Sequence, residues 1–237
     1  MPNPGKSVYV IQHTDGEFLG LIEDHLEGRG VAFNYIRPHA NAGRLPATLD
    51  LTGGVFLLGG GPWGAAGDRD LPTLADEVLL AKECIDRSIP IVGIGLGSQI
   101  LALAAGGSSV SRDLTFRIGE ATRCQDTALN GFLPESFPIV VYMRDHTVLP
   151  ECAEVLAMDE EDEPAVFQVG SSAFGFIGHP GVKSGMIEDL IMEFEESPSD
   201  SCDKLSELRN RQAAIEDATI GIMTGLVQAM RLMQKDC

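Results

Sequence analysis

The sequence predicts an α/β protein with a mostly parallel central sheet, helices on both faces of that sheet and a small antiparallel extension. Strand-like and helix-like segments alternate over the first hundred residues, and the third and fourth strand-like segments are continuous apolar runs. Continuous apolar strands are typical of a parallel sheet buried between two layers of helices. After Gly107, short apolar segments follow one another without long helices, which indicates antiparallel pairing.

The elements of the parallel part follow from periodicity and from the positions of glycine. Apolar runs predict strands over residues 7–13, 33–37, 54–58 and 90–94. Apolar residues at helical spacing predict helices over residues 18–27, 71–88 and 98–105. Gly28 and Gly30 stop the first of these helices, and glycine-rich turns follow the third and fourth strands.

The second half of the chain has a different pattern. Apolar segments at residues 139–143, 165–168 and 173–177 predict the antiparallel extension. The C-terminal part shows one apolar stripe at helical spacing, formed by Ile215, Ala218, Ile222, Leu226, Met230 and Met233. This stripe predicts a helix that packs against the sheet, with a dimer seam as the second interpretation. Because no linker or repeat interrupts the chain, a single domain is expected over residues 1–237, with a helical extension from about residue 188.

Composition excludes several classes of partner. The 237 residues carry a formal net charge of −18, and such an acidic surface repels nucleic acid and anionic membranes. No apolar run reaches the ~20 residues that span a bilayer, and the first residues lack the apolar core of a signal peptide. Five cysteines without a CxxC pair are typical of a reduced, cytoplasmic protein. Metal-ligand spacings and a phosphate loop are absent from the sequence, so no cofactor or metal is expected.

Two glycine-rich turns leave the carboxyl ends of predicted strands, where open parallel sheets bind ligands. The first is Gly-Gly-Gly-Pro-Trp-Gly at residues 59–64, and the second is Gly-Ile-Gly-Leu-Gly-Ser-Gln at residues 93–99. The second turn has the strand–G-x-X-x-G–helix pattern of a nucleophile elbow, in which the central side chain projects above the sheet. The central residue here is Gly95, which has no side chain.

Three motifs in order resemble the triad-type class I glutamine amidotransferases, and in particular the GMP-synthase-type group. These are Gly-Gly-Pro at residues 60–62, the turn at residues 93–99 and Ile-Gly-His-Pro-Gly at residues 177–181. In the family they read Gly-Gly-Pro, Gly-Ile-Cys-Leu-Gly-x-Gln and Gln-Phe-His-Pro-Glu. The resemblance runs from about residue 7 to residue 187. It implies a flavodoxin-like three-layer fold and hydrolysis of glutamine by a Cys–His–Glu triad.

When the family's motifs are matched to this chain, the chain differs from the family at two of the three catalytic positions. Gly95 stands at the position of the nucleophile and Gly181 at that of the acid, so that only His179 remains of the triad. A thioester cannot form without the cysteine.

The resemblance also implies a ligand-binding edge. Gly60, Gly61 and the backbone of Leu96 correspond to the turn that binds an oxyanion, and Gln99 follows in the same motif. Asp145 and His146 are expected to line the pocket, although Asp145 equally fits a local turn. A pocket is therefore expected to survive beside His179, or else to be filled by side chains such as Trp63 or Met143.

The residues favour a protein that has lost glutamine hydrolysis and acts as a binding or regulatory subunit. Its partners would be glutamine or another small amide or carboxylate, and an amide- or γ-glutamyl-forming ligase or synthetase; a homo-oligomer stays open. The alternative is an active amidotransferase or amide hydrolase with altered chemistry around His179. A further alternative, an engineered replacement of the cysteine, is disfavoured because one change does not remove two triad members.

Overall fold

The computed structural model describes residues 7–40, 44–51 and 53–233. Within these residues lie eleven strands: β1 Ser7–Ile11, β2 Ala32–Ile36, β3 Val55–Leu57, β4 Ile91–Ile94, β5 Ser108–Val110, β6 Thr115–Arg123, β7 Ser136–Met143, β8 His146–Val148, β9 Ala153–Asp159, β10 Pro164–Val169 and β11 Ala173–Phe176. The same residues form five α-helices: α1 Leu21–Gly28, α2 Leu74–Asp86, α3 Leu96–Ala104, α4 Ser184–Glu193 and α5 Ser201–Ala229.

Nine of the strands form one sheet in the order β2-β1-β3-β4-β11-β10-β9-β6-β7. The first five strands in this order are parallel, and the last four continue the sheet in antiparallel pairing. Strands β5 and β8 pair separately as a short antiparallel ribbon. The predicted three-layer α/β fold, mostly parallel with an antiparallel part, is confirmed.

Strand β11 differs from the sequence-based expectation, which placed residues 173–177 in the antiparallel extension. It pairs parallel with β4 on one side and antiparallel with β10 on the other. All four of its residues are buried, and a short, fully buried strand has the same sequence pattern in either pairing. Because β11 lies beside β4, the segment after Phe176 reaches the turn after Ile94, where the Gly95 N–H donates to the Phe176 carbonyl oxygen at 2.9 Å.

Helix α3 approaches the sheet at glycine positions. A Cβ atom added to Gly97 would lie 2.1 Å from the carbonyl oxygen of Leu57, and one added to Gly93 would lie 2.3 Å from the carbonyl oxygen of Gly97. Both contacts are with backbone atoms, which cannot rotate away. These glycines therefore bring the first turn of α3 against the carboxyl ends of β3 and β4.

We expect Gly97→Ala to lower the free energy of unfolding by about 1–3 kcal/mol, because the added methyl group pushes α3 away from β3. Gly185→Ala is the matched control, since a Cβ atom at Gly185 meets nothing within 4 Å. Alanine at that helical position is expected to be neutral or stabilising by up to about 1 kcal/mol. Urea denaturation of both variants measures the difference, and equal stabilities would contradict the close-approach interpretation.

The C-terminal part of the chain is helical, and α5 packs against β6 and β7. Of the predicted stripe, Ile215, Ala218, Ile222, Leu226 and Met230 are buried. Met233 is 61% exposed, so its inclusion was wrong; α5 ends at Ala229, and the helical spacing does not continue beyond it. None of the helices in the described part of the chain is long and apolar enough to cross a membrane.

Candidate active site

The turn between β4 and α3 has the predicted position and an unusual backbone. Gly95 has φ +56° and ψ −119°, a conformation that side-chain-bearing residues rarely adopt. A Cβ atom added to Gly95 would touch only the Gly59 Cα atom, at 3.4 Å. The turn therefore has room for a side chain at its centre and carries none.

His179 follows β11, and two backbone groups hold its ring. Its Nε2 lies 3.0 Å from the carbonyl oxygen of Phe18, and its Nδ1 lies 3.1 Å from the N–H of Gly181. A carbonyl can only accept and an N–H can only donate, so the ring is the neutral tautomer with its proton on Nε2. Burial lowers the pKa of His179 to about 4, which agrees with a neutral ring. Both ring nitrogens are engaged, and no lone pair is left to take a proton at Gly95.

Gly181, at the predicted position of the acid, packs against the start of α1. Its carbonyl oxygen accepts a hydrogen bond from the Leu21 N–H at 2.8 Å. A Cβ atom added to Gly181 would lie 3.0 Å from Ile22 Cγ1 and 3.1 Å from the Ile22 nitrogen. These contacts are tighter than most real Cβ contacts, so α1 leaves little space for an acidic side chain at this position.

Glu17 is the residue in this site that sequence reasoning missed. Its Oε2 accepts a hydrogen bond from the Gly61 N–H at 2.7 Å, and a Cβ atom added to Gly59 would lie only 1.8 Å from its Oε1. The side chain is 6% exposed, and burial raises the pKa of Glu17 to about 7 against the lowering effect of the Gly61 hydrogen bond. Its position after β1, at the ligand-binding edge of the sheet, was the signal available in the sequence.

A buried ion pair lies on the other side of the same turn. His13 Nε2 is 2.7 Å from Glu77 Oε2, and His13 Nδ1 donates to the Gly59 carbonyl oxygen at 2.8 Å. Burial alone lowers the pKa of His13, but attraction to the Glu77 carboxylate and the hydrogen bonds outweigh it, and the net pKa is raised. With acceptors at both nitrogens, His13 is a cation that fixes the orientation of the Gly59 carbonyl group.

The cavity beside Gly95 has a volume of about 20 Å³, and Glu17, Tyr142 and His179 line it. This volume is comparable to the space that one water molecule needs. The pocket expected from the sequence is therefore almost filled. Glu17 is among the residues that line it, and neither Trp63 nor Met143 does.

Asp145 and His146 do not belong to this cavity. Asp145 Oδ2 accepts hydrogen bonds from the Ala65 N–H at 2.8 Å and the Ala66 N–H at 3.1 Å, so it fastens the loop after the glycine-rich turn. It has φ +66°, and its side chain makes long-range structural contacts instead of the local turn contact that was the second of its two expected roles. His146 and Asp145 line a separate cavity of about 170 Å³, and the expectation that they line the Gly95 pocket was wrong.

The remaining predicted residues lie around the turn and not in the cavity. The Leu96 side chain packs on Gly60, where an added Cβ atom would lie 2.3 Å from Leu96 Cδ2. Gln99 is fully buried, and its Nε2 donates to the carbonyl oxygen of Arg144 at 2.7 Å. Its Oε1 has no hydrogen-bond partner within the part of the chain that the structure describes.

Residues 193–197 comprise the last residue of α4 and the first part of its connection to α5, and Phe194 lies against Gly61 of the glycine turn; we call this segment the strap. The Glu193 carboxylate accepts hydrogen bonds from the N–H groups of Asp15 and Gly16, at 3.2 and 3.0 Å. The carboxylate of Glu196 pairs with both Arg69 and Arg144. The strap thus connects the loop after β1 to the loops that follow β3 and β7.

Clusters of metal-ligating side chains are absent from the described ranges, 7–40, 44–51 and 53–233. No group of three or more histidine, cysteine, aspartate or glutamate side chains there could hold a metal ion.

Residues 13–194 match the family model of the class I glutamine amidotransferases, and the chain belongs to this family. It is 25% identical over 187 residues to a glutamine-hydrolysing GMP synthase subunit from Methanococcus maripaludis, a match that covers 78% of this chain and 93% of that protein. It is 29% identical over 98 residues to the carbamoyl phosphate synthase small chain of Thermotoga maritima. That match covers 41% of this chain and spans only a quarter (25%) of the length of the small chain.

Solved structures support the same fold. A glutamine amidotransferase from Methylobacillus flagellatus superposes with a TM-score of 0.81 at 19% identity, covering 98% of this chain and 97% of that one. A glutamine amidotransferase from Thermotoga maritima superposes with a TM-score of 0.79 at 24% identity, covering 94% and 97%.

Proposed function

We propose that this member of the class I glutamine amidotransferase family does not hydrolyse glutamine and acts as a binding or regulatory subunit. The observation that carries the proposal is the pairing of a glycine at residue 95 with an imidazole at residue 179 whose two nitrogens are both engaged. Glutamine hydrolysis by this family's route needs a nucleophile and a base that accepts its proton. Gly95 cannot supply the first, and His179 is not free to be the second.

Other side chains do not take over the missing nucleophile. The Ser98 hydroxyl donates a hydrogen bond to the Gly95 carbonyl oxygen at 2.6 Å and is fully buried, so it does not face a substrate. Cys84 is also buried in the core, and burial raises the pKa of its thiol to about 12. The competing hypothesis, altered chemistry around His179, would need a further polar group beside this histidine, and Asp145 is instead engaged with the backbone amides of Ala65 and Ala66.

A synthetase or ligase is the class of partner that we propose. Two relatives are named as the small chain of carbamoyl phosphate synthase and as one subunit of GMP synthase, both of which are parts of synthases. We propose that this chain similarly acts beside a catalytic subunit in the cytoplasm and presents a site for a small amide or carboxylate. The specific partner is left open, as is self-association.

Ammonia release from glutamine tests the loss of activity. The purified protein is expected to release no ammonia above the buffer, and His179→Ala is expected to leave this background unchanged. Turnover at ordinary enzyme rates of about 1 s⁻¹ or more, abolished by His179→Ala, would overturn the proposal.

Gly95→Cys sharpens the same test. A Cβ atom fits at residue 95, but both nitrogens of His179 are engaged by backbone groups, so we expect glutaminase activity to stay at background. The double variant Gly95→Cys/Gly181→Glu is expected to stay inactive as well, because Ile22 crowds the acid position. Recovery of turnover by Gly95→Cys alone would show that His179 is free to act as a base and would contradict the site geometry.

A further inference from the structure

The Glu17 carboxyl group occupies the glycine turn in the way that a bound ligand would. It accepts the Gly61 N–H, lies against Gly59 where only a glycine leaves space, and faces the cavity beside Gly95. Within the described part of the chain, no lysine or arginine pairs with this carboxyl group. The only opposite charge that acts on it is that of His13, across the turn.

Burying a carboxyl group without an ion pair costs free energy, so its presence in a protein indicates a structural or functional role. The role at this turn is to accept the hydrogen bond of the Gly61 N–H, which a small planar carboxyl group can do. A Cβ atom added to Gly59 would lie 1.8 Å from Glu17 Oε1, so the carboxyl group packs directly against the backbone of the turn. The turn therefore holds a carboxyl group through one hydrogen bond and this close contact.

The loop at residues 14–17, which carries Glu17, is held by one contact within the loop and by contacts to the strap. The Glu17 N–H donates to Thr14 Oγ1 at 3.2 Å, within the loop after β1. The exposed Glu193 of the strap holds the N–H groups of Asp15 and Gly16. Movement of this short loop would withdraw the carboxyl group and leave the Gly61 N–H without an acceptor.

We propose that the turn at residues 59–61 is a binding site for a carboxylate or primary amide group, and that Glu17 occupies it as a built-in ligand. An external molecule carrying such a group binds only when the loop at residues 14–17 moves away. The inference rests on the proposed function, because an active enzyme would bind its substrate in the same place. It adds the identity of the group that competes with the ligand, which is the Glu17 carboxyl group.

The test compares the binding of acetate and acetamide to the full-length wild type and Glu17→Ala, measured at pH 7 through the amide NMR signal of Gly61. Glu17→Ala removes the competing carboxyl group and is expected to bind acetate saturably. Its dissociation constant for acetate is expected to be at least about tenfold lower than that of the wild type. Glu17→Gln keeps the turn filled and is the matched control, expected to bind as weakly as the wild type. Comparing the dissociation constants of acetate and acetamide shows whether the turn prefers a carboxylate or a primary amide.

Glu193→Ala is the second variant, because the side chain is exposed and its loss leaves Glu17 in place. Freeing the loop is expected to bring its acetate affinity between those of the wild type and Glu17→Ala. Absence of saturable binding to folded Glu17→Ala, or binding by the wild type as tight as by this variant, would overturn the proposal. If Glu17→Ala does not fold, the wild-type Gly61 amide signal decides: it is expected to follow the ionisation of Glu17, and no response would overturn the proposal.

This test is separable from that of the proposed function. Ammonia release by the wild type would refute the loss of activity, whatever acetate does. A Gly61 amide signal that does not respond to acetate in Glu17→Ala, together with no ammonia release, would refute the built-in ligand alone. The proposed loss of activity would then still stand.

Discussion

Glu77→Ala is expected to lower the free energy of unfolding by about 3–5 kcal/mol, because it leaves the buried His13 cation without its partner. The side chains of His13 and Glu77 are 1% and 0% exposed, so water cannot replace the lost carboxylate. The same change frees the Gly59 carbonyl group from its fixed orientation, so the glycine turn is also expected to lose order. Urea denaturation at pH 7 measures the loss of stability.

Asp76→Ala is the matched control, since Asp76 lies on the same helix next to Glu77 and is exposed. It is expected to change stability by less than about 1 kcal/mol. His13→Gln combined with Glu77→Gln removes the charge and its partner together, and we expect it to be less damaging than Glu77→Ala. A loss for Glu77→Ala as small as that for Asp76→Ala would show that His13 is not held as a buried cation.

Glu17→Gln is expected to raise stability at pH 8 and to leave it unchanged at pH 4. The pKa of Glu17 rises from an ordinary 4.5 to about 7 in the folded protein, so folding favours its protonated form. Its contribution to stability is complete below about pH 4.5 and is lost as the pH rises through about 7. The full difference corresponds to about 3 kcal/mol, and Glu17→Gln removes this penalty at high pH.

His179 acts in the opposite direction over much of the same range. Its pKa falls from 6.5 to about 4, so its contribution to stability is lost as the pH falls from about 6.5 towards 4. The two slopes partly cancel in the wild type between about pH 4.5 and 6.5. Glu17→Gln is therefore expected to reveal a rise of stability with pH in this window. Thermal unfolding from pH 4 to 8, with Glu151→Gln at an exposed position as the control, would refute the assignment if both variants followed the wild type.

The parallel half of the fold was predictable because its signals are local. Each of its first four strands is an apolar run that ends close to a glycine-rich or polar segment, and α3 follows its strand directly. Strand β11 was not placed correctly, because its position is decided by pairing with β4, some eighty residues earlier in the chain. A four-residue buried segment carries no pattern that reports which neighbours it will have.

The candidate site was predictable only where it depended on sequence motifs. The motif at residues 93–99 located Gly95, which has a positive φ at the turn between β4 and α3. The role of Glu17 arises from a contact with Gly61, 44 positions away, and that of His13 from a contact with Glu77, 64 positions away. Such contacts exist only after the sheet has formed. The separation of Asp145 from the cavity has the same origin, since its partners are the distant amides of Ala65 and Ala66.

The anchoring of the strap makes ionic strength a control on access to the glycine turn. Glu196 is held by Arg69 and Arg144 in pairs that are partly open to solvent, and dissolved salt screens such pairs. Salt also screens the mutual repulsion of a chain with net charge −18, which favours the compact state. Rising salt concentration is therefore expected to loosen the strap while it strengthens the rest of the fold, so that the proposed opening of the site and unfolding of the protein would respond to salt in opposite directions.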